Sequence, residues 1–373
     1  MIARHLSAEH GIVCQLPGDD FGYFGWPTVE RLDNGTMLVG SSGLRSEHIC
    51  PYGKTVLNTS KDDGQTWSPP RVIHESPLDD RDVGVLDLGS GNVLLSWCSV
   101  NNRLQLEDPE IKESFIDLVG TAEVDSWAAT LDALTDAVAA PHLGSWIMLS
   151  SDSGETWSDK VRVPLYTPHG PIKLRDGDLL YVGNRFMIDR DELDNSAVSA
   201  ARSSDNGLTW TIVGEVPLYP KTQAPSYTEP HVVELPSGKL ICMERVDGDL
   251  GQAGVLTFSM LQSESTDGGK NWSVSKPLNF HGSPPHLLRH SSGALILTYG
   301  YRLVPFGQRV AISNDEGATW EHDIILRDDG PDWDLGYPST VEMSDGSLFS
   351  VYYQKVPGDY RNSLLWSRWQ LPD

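Results

Sequence analysis

Five near-copies of one eight-residue string, SKDDGQTW, SSDSGETW, SSDNGLTW, STDGGKNW and SNDEGATW, punctuate the chain and end at Trp67, Trp157, Trp210, Trp272 and Trp320. Ahead of each lies a second pattern, in which two apolar stretches flank a glycine-containing turn. It occurs six times, with turn glycines Gly35, Gly91, Gly177, Gly238, Gly293 and Gly346. β-Branched and apolar residues alternating around Asn-Gly, Asp-Gly or Ser-Gly predict an antiparallel hairpin, because such turns accept positive φ. These are strands A and B of a unit; a third apolar stretch enters the eight-residue box and a fourth leaves it, giving strands C and D. One four-stranded sheet cannot bury both of its faces, whereas six stacked radially can. The spacing therefore predicts an all-β, six-bladed β-propeller that fills residues 1–373 as a single domain, and it is too regular for a pair of β-sandwiches.

Two irregularities carry further expectations. The sixth unit has no box and the chain stops soon after NSLLWSRWQL, so the N-terminal RHLSAEHGIVCQL is expected to supply the missing outer strand and close the ring. Trp67 and Trp157 are 90 positions apart, and the surplus falls at about 103–142. There Val124, Trp127, Ala128, Leu131, Leu134 and Val138 recur at helical spacing, and Asp108-Pro109 offers a cap followed by proline at the first helical position. A helical insertion between strands B and C of blade two is expected, on the face opposite the boxes. From there it would wall a pocket or provide a homo-oligomer contact.

Composition narrows the partners. With 52 acidic against 28 basic residues the formal charge is -24, which disfavours nucleic acid and anionic membranes as partners. The four cysteines, Cys14, Cys50, Cys98 and Cys242, lack CxxC spacing, so neither a disulfide framework nor a metal site is expected, and no cofactor is implied. The start has no cationic stretch leading into an apolar run, and no apolar run reaches the roughly 18 residues of a membrane span. The chain reads as soluble, and as written cytoplasmic.

The box itself reads as fold punctuation. Its Asp can accept hydrogen bonds from the amides of its own turn, its Gly supplies a left-handed position, and its Trp fills space between sheets. Five equivalent copies suit architecture; an active site on the propeller axis needs different groups from different blades. Because strands alternate in direction, the start of strand A and the B to C loop share the face opposite the boxes. Counting nine residues back from each turn glycine gives Trp26, Asp82, Pro168, Glu229, Pro284 and Tyr337 at the pocket, with His169, His231 and His286 beside them. Beyond strand B stand Arg45, Arg185, Arg245 and Arg302, with Arg309 a little later. An inner ring of carboxylate, phenol and imidazole thus faces a ring of cations.

These features resemble the sialidase superfamily of six-bladed propellers, in which such strings are Asp boxes, and the resemblance covers nearly the whole chain apart from the insertion. In YTEPHVVELPSGKLICMER, Glu229 and Arg245 resemble the family's glutamate and one arginine of its carboxylate-binding triad. In LGYPSTVEMSDGSLFSVYY, Tyr337 stands where the family has its tyrosine nucleophile, which a neighbouring carboxylate must deprotonate because a free phenol titrates near pH 10. There are departures. The family's Arg-Ile-Pro is replaced by Gly25-Trp26-Pro27. In SGLRSEHICPYGKTV, Arg45 resembles the loop arginine but the acid/base Asp is missing, leaving Glu47 and His48 nearby. The last triad position offers Arg302 or Arg309.

The resemblance implies an exo-acting glycosidase that removes a terminal acidic sugar from a glycan with retention. Tyr337 would be the nucleophile, Glu229 its base, and Glu47, His48 or Asp82 the acid/base. The arginines, Trp26, Arg185 and the three histidines would contact the sugar. Two alternatives remain open: a lyase acting on uronic acids through a Tyr or His base with arginines stabilising the enolate, and a non-catalytic glycan-binding propeller.

Overall fold

The computed structural model describes residues 4–185, 198–248 and 250–372. Six sheets surround an axis, each with strand A innermost. Blade one consists of Tyr23–Arg31, Met37–Arg45, Lys54–Ser60 and Arg71–His74, and blade two of Asp79–Gly89, Asn92–Val100, Gly144–Ser150 and Val161–Val163. Blade three has Ile172–Lys173, Leu179–Arg185, Val198–Ser203 and Thr211–Val216; blade four has Tyr227–Glu234, Leu240–Val246, Ser259–Ser265 and Lys276–His281. Blade five comprises Pro285–Arg289, Leu295–Tyr301, Gly307–Ser313 and Glu321–Arg327, and blade six Gly336–Glu342, Leu348–Lys355 and Asn362–Trp369.

The chain ends close the ring. Ala8–Cys14 pairs antiparallel with Asn362–Trp369 and so becomes the outer strand of blade six. Arg4–His5 adds a short parallel strand to the outer edge of blade five. Both ends thereby satisfy edge groups that would otherwise be open to pairing with other chains.

The core is a series of wedges between blades. Val13, Val39, Val56, Val351 and Phe349 fill the seam of blades six and one, and Leu38, Leu57, Val83, Val85 and Leu95 fill the next. The boxes fasten the outer strands. Asp62 accepts from Thr66 N at 2.9 Å and Thr66 Oγ1 at 2.6 Å, Gly64 N donates to Ser60 Oγ, and Trp67 Nε1 donates to Gly64 O at 3.0 Å. Asp152, Asp205, Asp267 and Asp315 repeat the carboxylate contacts. The side-chain bond from Thr or Asn holds Asp152, Asp267 and Asp315 down at about 2.

Between strands B and C of blade two lie four helices: α1 (Arg103–Glu107), α2 (Pro109–Val119), α3 (Thr121–Asp132) and α4 (Asp136–Ala139). Asp108 caps α2 by accepting from Glu110 N and Ile111 N, with Pro109 at the first turn. Phe115, Val124 and Trp127 pack on Cys50, Ile49 and Tyr52, so the helices brace the B to C loop of blade one. Leu131 and Leu134 are buried, whereas Val138, expected in the same stripe, is exposed because α4 is a separate short helix with its own direction. No helix among the described residues is long and apolar enough to cross a membrane.

Candidate active site

The four side chains that the nine-residue count places at the pocket on blades one, two, four and six share one unusual backbone state. Trp26, Asp82, Glu229 and Tyr337 have φ of 52, 56, 50 and 50°. Left-handed backbone is unfavourable for residues with a side chain, and three of these precede a proline, which restricts them further. At each position the register to strand B skips, from Gly25 to Thr28, Arg81 to Gly84, Thr228 to His231 and Gly336 to Ser339. A bulge of this kind interrupts the alternation of the pleat and re-aims one side chain per blade toward the axis. Blades three and five carry Pro168 and Pro284 instead, whose rings forbid positive φ. Strain repeated at four equivalent positions persists only where the surrounding packing holds the backbone in place.

Two of the aimed groups form a compact cluster with Arg245 of blade four. Tyr337 Oη donates to Glu229 Oε1 at 2.5 Å, and Arg245 Nη1 donates to both Glu229 Oε2 at 2.6 Å and Tyr337 Oη at 3.0 Å. Asp247 lies 2.8 Å from Arg245 Nε. Burial, followed by the charge of Glu229, pushes the Tyr337 phenol well above its ordinary value, with Arg245 opposing. Burial works against the Arg245 charge, yet Glu229, Tyr337 and Asp247 more than offset it. Asp82 is pushed up to about 6 by burial and Glu229 against the pull of Arg81. Close packing sets these positions: a Cβ on Gly336, next to Tyr337, would meet Gly300 Cα at 3.2 Å.

The cations divide into two groups. Arg302 belongs to the cluster: its guanidinium carbon is 5.8 Å from the Tyr337 ring centre, and it donates to Leu335 O and Tyr353 Oη. Arg81, which the sequence reading did not single out, lies over the Trp26 ring at 4.1 Å, and its ion pair among the described residues is a 3.5 Å contact with Asp79. It immediately precedes Asp82, so counting one residue further back would have found it. Phe258 lies between Arg245 and Arg302, 5.3 and 5.2 Å from their guanidinium carbons.

Three arginines expected to touch substrate are committed elsewhere. Arg45 is 0% exposed; it forms a bidentate pair with Asp79 and donates also to Ser42 Oγ, Glu47 O and His48 O. Its donors are spent on shaping its own loop, and it reaches the pocket only through Trp26, 4.7 Å away. Arg309 sits on strand C of blade five and donates to the carbonyls of Gln308, Arg327 and Pro305. Arg185 turns outward to Ser199 and Glu215 on strands C and D of blade three.

The histidines correct another expectation. His231 Nδ1 accepts from Leu287 N at 2.9 Å, and His286 Nδ1 accepts from Thr340 N at 3.3 Å. Ser339 Oγ continues the pattern by accepting from Val29 N. Strand A is an inner sheet edge, and each of these side chains satisfies an edge amide of the next blade, from four to five, five to six and six to one. His231 and His286 stack at 4.4 Å, with His169 edge-on to both. Burial lowers all three imidazoles, His231 to about 3, so they stay neutral. With Nδ1 of His231 and His286 accepting, the proton sits on Nε2, and neither ring has a lone pair free for a metal or for a proton from substrate.

Of the remaining candidates, Glu47 turns its carboxylate back to His48 N at 3.1 Å. His48 is held edge-on to Trp26 at 5.1 Å, with Nδ1 2.8 Å from Asp334 Oδ1. Asp334 also accepts from Tyr23, Tyr353 and Asn362. The sequence reading passed over Asp334; its nearness to Tyr337, three residues on, was the available signal.

A cluster of carboxylate, phenol and arginines at the axis of a six-bladed, Asp-box ring defines a sialidase-like propeller. The sequence pattern of the BNR repeat-like domain matches residues 124–350, and the chain belongs to that family. Over 283 residues it is 27% identical to a sialidase of Paraclostridium sordellii, spanning 69% of this chain and 59% of that protein. A Dyadobacter fermentans protein of unknown function superposes over 98% of both chains with a TM-score of 0.74 and 24% identity. An intramolecular trans-sialidase of Ruminococcus gnavus, solved with oseltamivir carboxylate, matches over 97% of both at a TM-score of 0.62 and 16% identity.

Proposed function

We propose that the protein is a retaining, exo-acting glycoside hydrolase that removes a terminal acidic sugar from a glycan. The observation that carries this reading is the 2.5 Å hydrogen bond from Tyr337 to Glu229. A buried phenol is a weak nucleophile, and a carboxylate on its oxygen can take the proton as the phenol attacks the anomeric carbon. Attack by a neutral phenol that hands its proton to Glu229 also avoids holding a phenolate against an anionic sugar, and Arg245 offsets the carboxylate charge. Arg81 offers a lightly engaged planar guanidinium for a sugar carboxylate, with Arg245 and Arg302 beside it, while Trp26, 1% exposed and packed against Arg81 and Arg45, supports the cations and is not the sugar-stacking face expected of it.

The test is a panel of aryl glycosides carrying sialic, uronic and neutral sugars, followed by an activated fluoro-glycoside of the sugar that is turned over. Release of the first-formed product in the retained configuration and mass-spectrometric labelling of the peptide containing Tyr337 are expected. Full turnover by Tyr337→Phe would sink the nucleophile assignment. An unsaturated uronate product, seen by its ultraviolet absorbance, would replace hydrolysis with elimination.

A further inference from the structure

We propose that His48, held in place by Asp334, is the general acid and base that serves the leaving group; this rests on the hydrolase reading above. Asp334 is a positioning residue. It lies under His48 in a cage of hydroxyl and amide donors: Tyr23 Oη at 3.1 Å, Tyr353 Oη at 3.2 Å and Asn362 Nδ2 at 2.6 Å. Those bonds use up its other lone pairs and fix one oxygen on His48 Nδ1 at 2.8 Å. Nδ1 therefore carries a proton toward Asp334, and Nε2 is left as the working atom. Nε2 makes no hydrogen bond among the described residues, and the imidazole is partly exposed, at 23% of its side-chain surface.

Position separates His48 from its rivals. Asp82 occupies the same inner bulge position as Glu229 and Tyr337, which faces the sugar itself, and Glu47 is turned to its own loop backbone. His48 stands further out. Its ring is 5.1 Å from Trp26, which in turn is 6.3 Å from Tyr337, and its other side is 5.9 Å from Trp333, which is 53% exposed at the mouth. In an exo-acting pocket the leaving group is the part of the glycan that projects through that mouth. Burial raises the Asp334 carboxyl, but His48, Arg302 and Lys355 hold it at about 2, so it stays ionised. Burial lowers the His48 imidazole below its ordinary value, with Asp334 opposing and Arg81 and Arg302 adding to the fall, so the imidazolium that acts in the first step is favoured toward acid pH.

The steps balance as follows. In the first, Tyr337 Oη forms a bond to the anomeric carbon and passes its proton to Glu229, while His48 Nε2–H gives its proton to the departing oxygen as the glycosidic bond breaks. In the second, water attacks the anomeric carbon and loses a proton to the neutral His48 Nε2. The bond to Tyr337 breaks, and Glu229 returns the proton to the phenolate. Enzyme groups end as they began, and one water is consumed.

The experiment compares two substrates of the preferred sugar in the full-length protein, one with a nitrophenyl leaving group and one linked to another sugar. In His48→Gln, kcat/KM should fall by about 10³-fold for the sugar leaving group and by no more than about tenfold for nitrophenol, which needs little protonation. Added azide should raise turnover of the nitrophenyl substrate and yield the glycosyl azide with retained configuration. Asp334→Asn should show the same split to a smaller degree, with a folded spectrum; a purely structural role would lower both substrates equally. Equal losses in His48→Gln, or no azide product, overturn the assignment to His48 alone. A wild-type protein that cleaves none of these glycosides overturns the hydrolase reading and this assignment with it.

Discussion

Tyr337 and Glu229 lie 108 residues apart in the chain and on blades six and four, yet the phenol oxygen donates to the carboxylate at 2.5 Å. Arg245 donates to Tyr337 Oη and to the other oxygen of Glu229, Oε2, so one fixed guanidinium is placed against both partners of the shared proton. If Glu229 takes that proton during attack, Glu229→Gln keeps the shape and removes the base. The expected result is a fall in kcat of about 10² to 10⁴-fold with KM changed far less. Steady-state kinetics on an aryl glycoside with a good leaving group reads this directly, and an unchanged kcat would remove Glu229 from the chemistry.

Arg81 is the most lightly engaged guanidinium of the pocket, stacked on Trp26 where the family pattern has an arginine on the first strand. A charge-assisted hydrogen bond to a sugar carboxylate contributes roughly 1.5–3 kcal/mol, so Arg81→Ala should raise the Kd of an acidic sugar by about 10 to 150-fold. A neutral analogue of that sugar should be affected much less. Calorimetry on the two ligands distinguishes a carboxylate contact from a general loosening of the pocket.

His231 serves the ring rather than the substrate, accepting the amide of Leu287 from the next blade. Replacing it by Leu leaves that buried donor unpaired, which costs about 1–3 kcal/mol. Denaturant titration of His231→Leu should show the loss as a lower midpoint with little change in slope. A variant as stable as the wild type would show that the amide finds another acceptor.

Glu244, fully buried on strand B of blade four, accepts from Ser263 Oγ at 2.6 Å and Ser275 Oγ at 2.7 Å, and burial pushes it up to about 7. Its folded value lies above its unfolded one, so between about pH 4.5 and 7 the folded state holds the extra proton and stability falls as pH rises. The full difference is on the order of 3 kcal/mol. Glu244→Gln should remove this fall and be the more stable protein at pH 8. Asp80, pushed up to about 7 by burial, acts in the same window, so the readout is the difference between the two stability curves.

The amount legible in the sequence differed with the kind of residue. Turn glycines and boxes are local signals, and they gave the blade count, the strand order and the outer-edge closure by Ala8–Cys14. The same count found Trp26, Asp82, Glu229 and Tyr337, because the bulge that aims each side chain recurs at a fixed offset from the turn. It did not separate working cations from structural ones. Arg45 and Arg245 both stand in the last residues of strand B, but Arg45 meets the buried carboxylate of Asp79 and Arg245 meets the pair at the axis. Nor did it find Asp334, whose partners Tyr23, His48, Tyr353 and Asn362 come from blades one and six.

By itself, the sequence determined the repeating architecture, since each blade is specified by contacts between neighbours in the chain: hairpin turns, alternating strands and the Ser-Asp-Gly-Trp fastening. Only the tertiary structure decided which donors and acceptors are already spent. A guanidinium or imidazole is available to a ligand only if nothing nearby has taken its hydrogen bonds, and around a propeller axis the neighbours that take them come from blades far apart in sequence. His231 and His286 therefore became fasteners, and His48 was left with one open nitrogen beside the pocket.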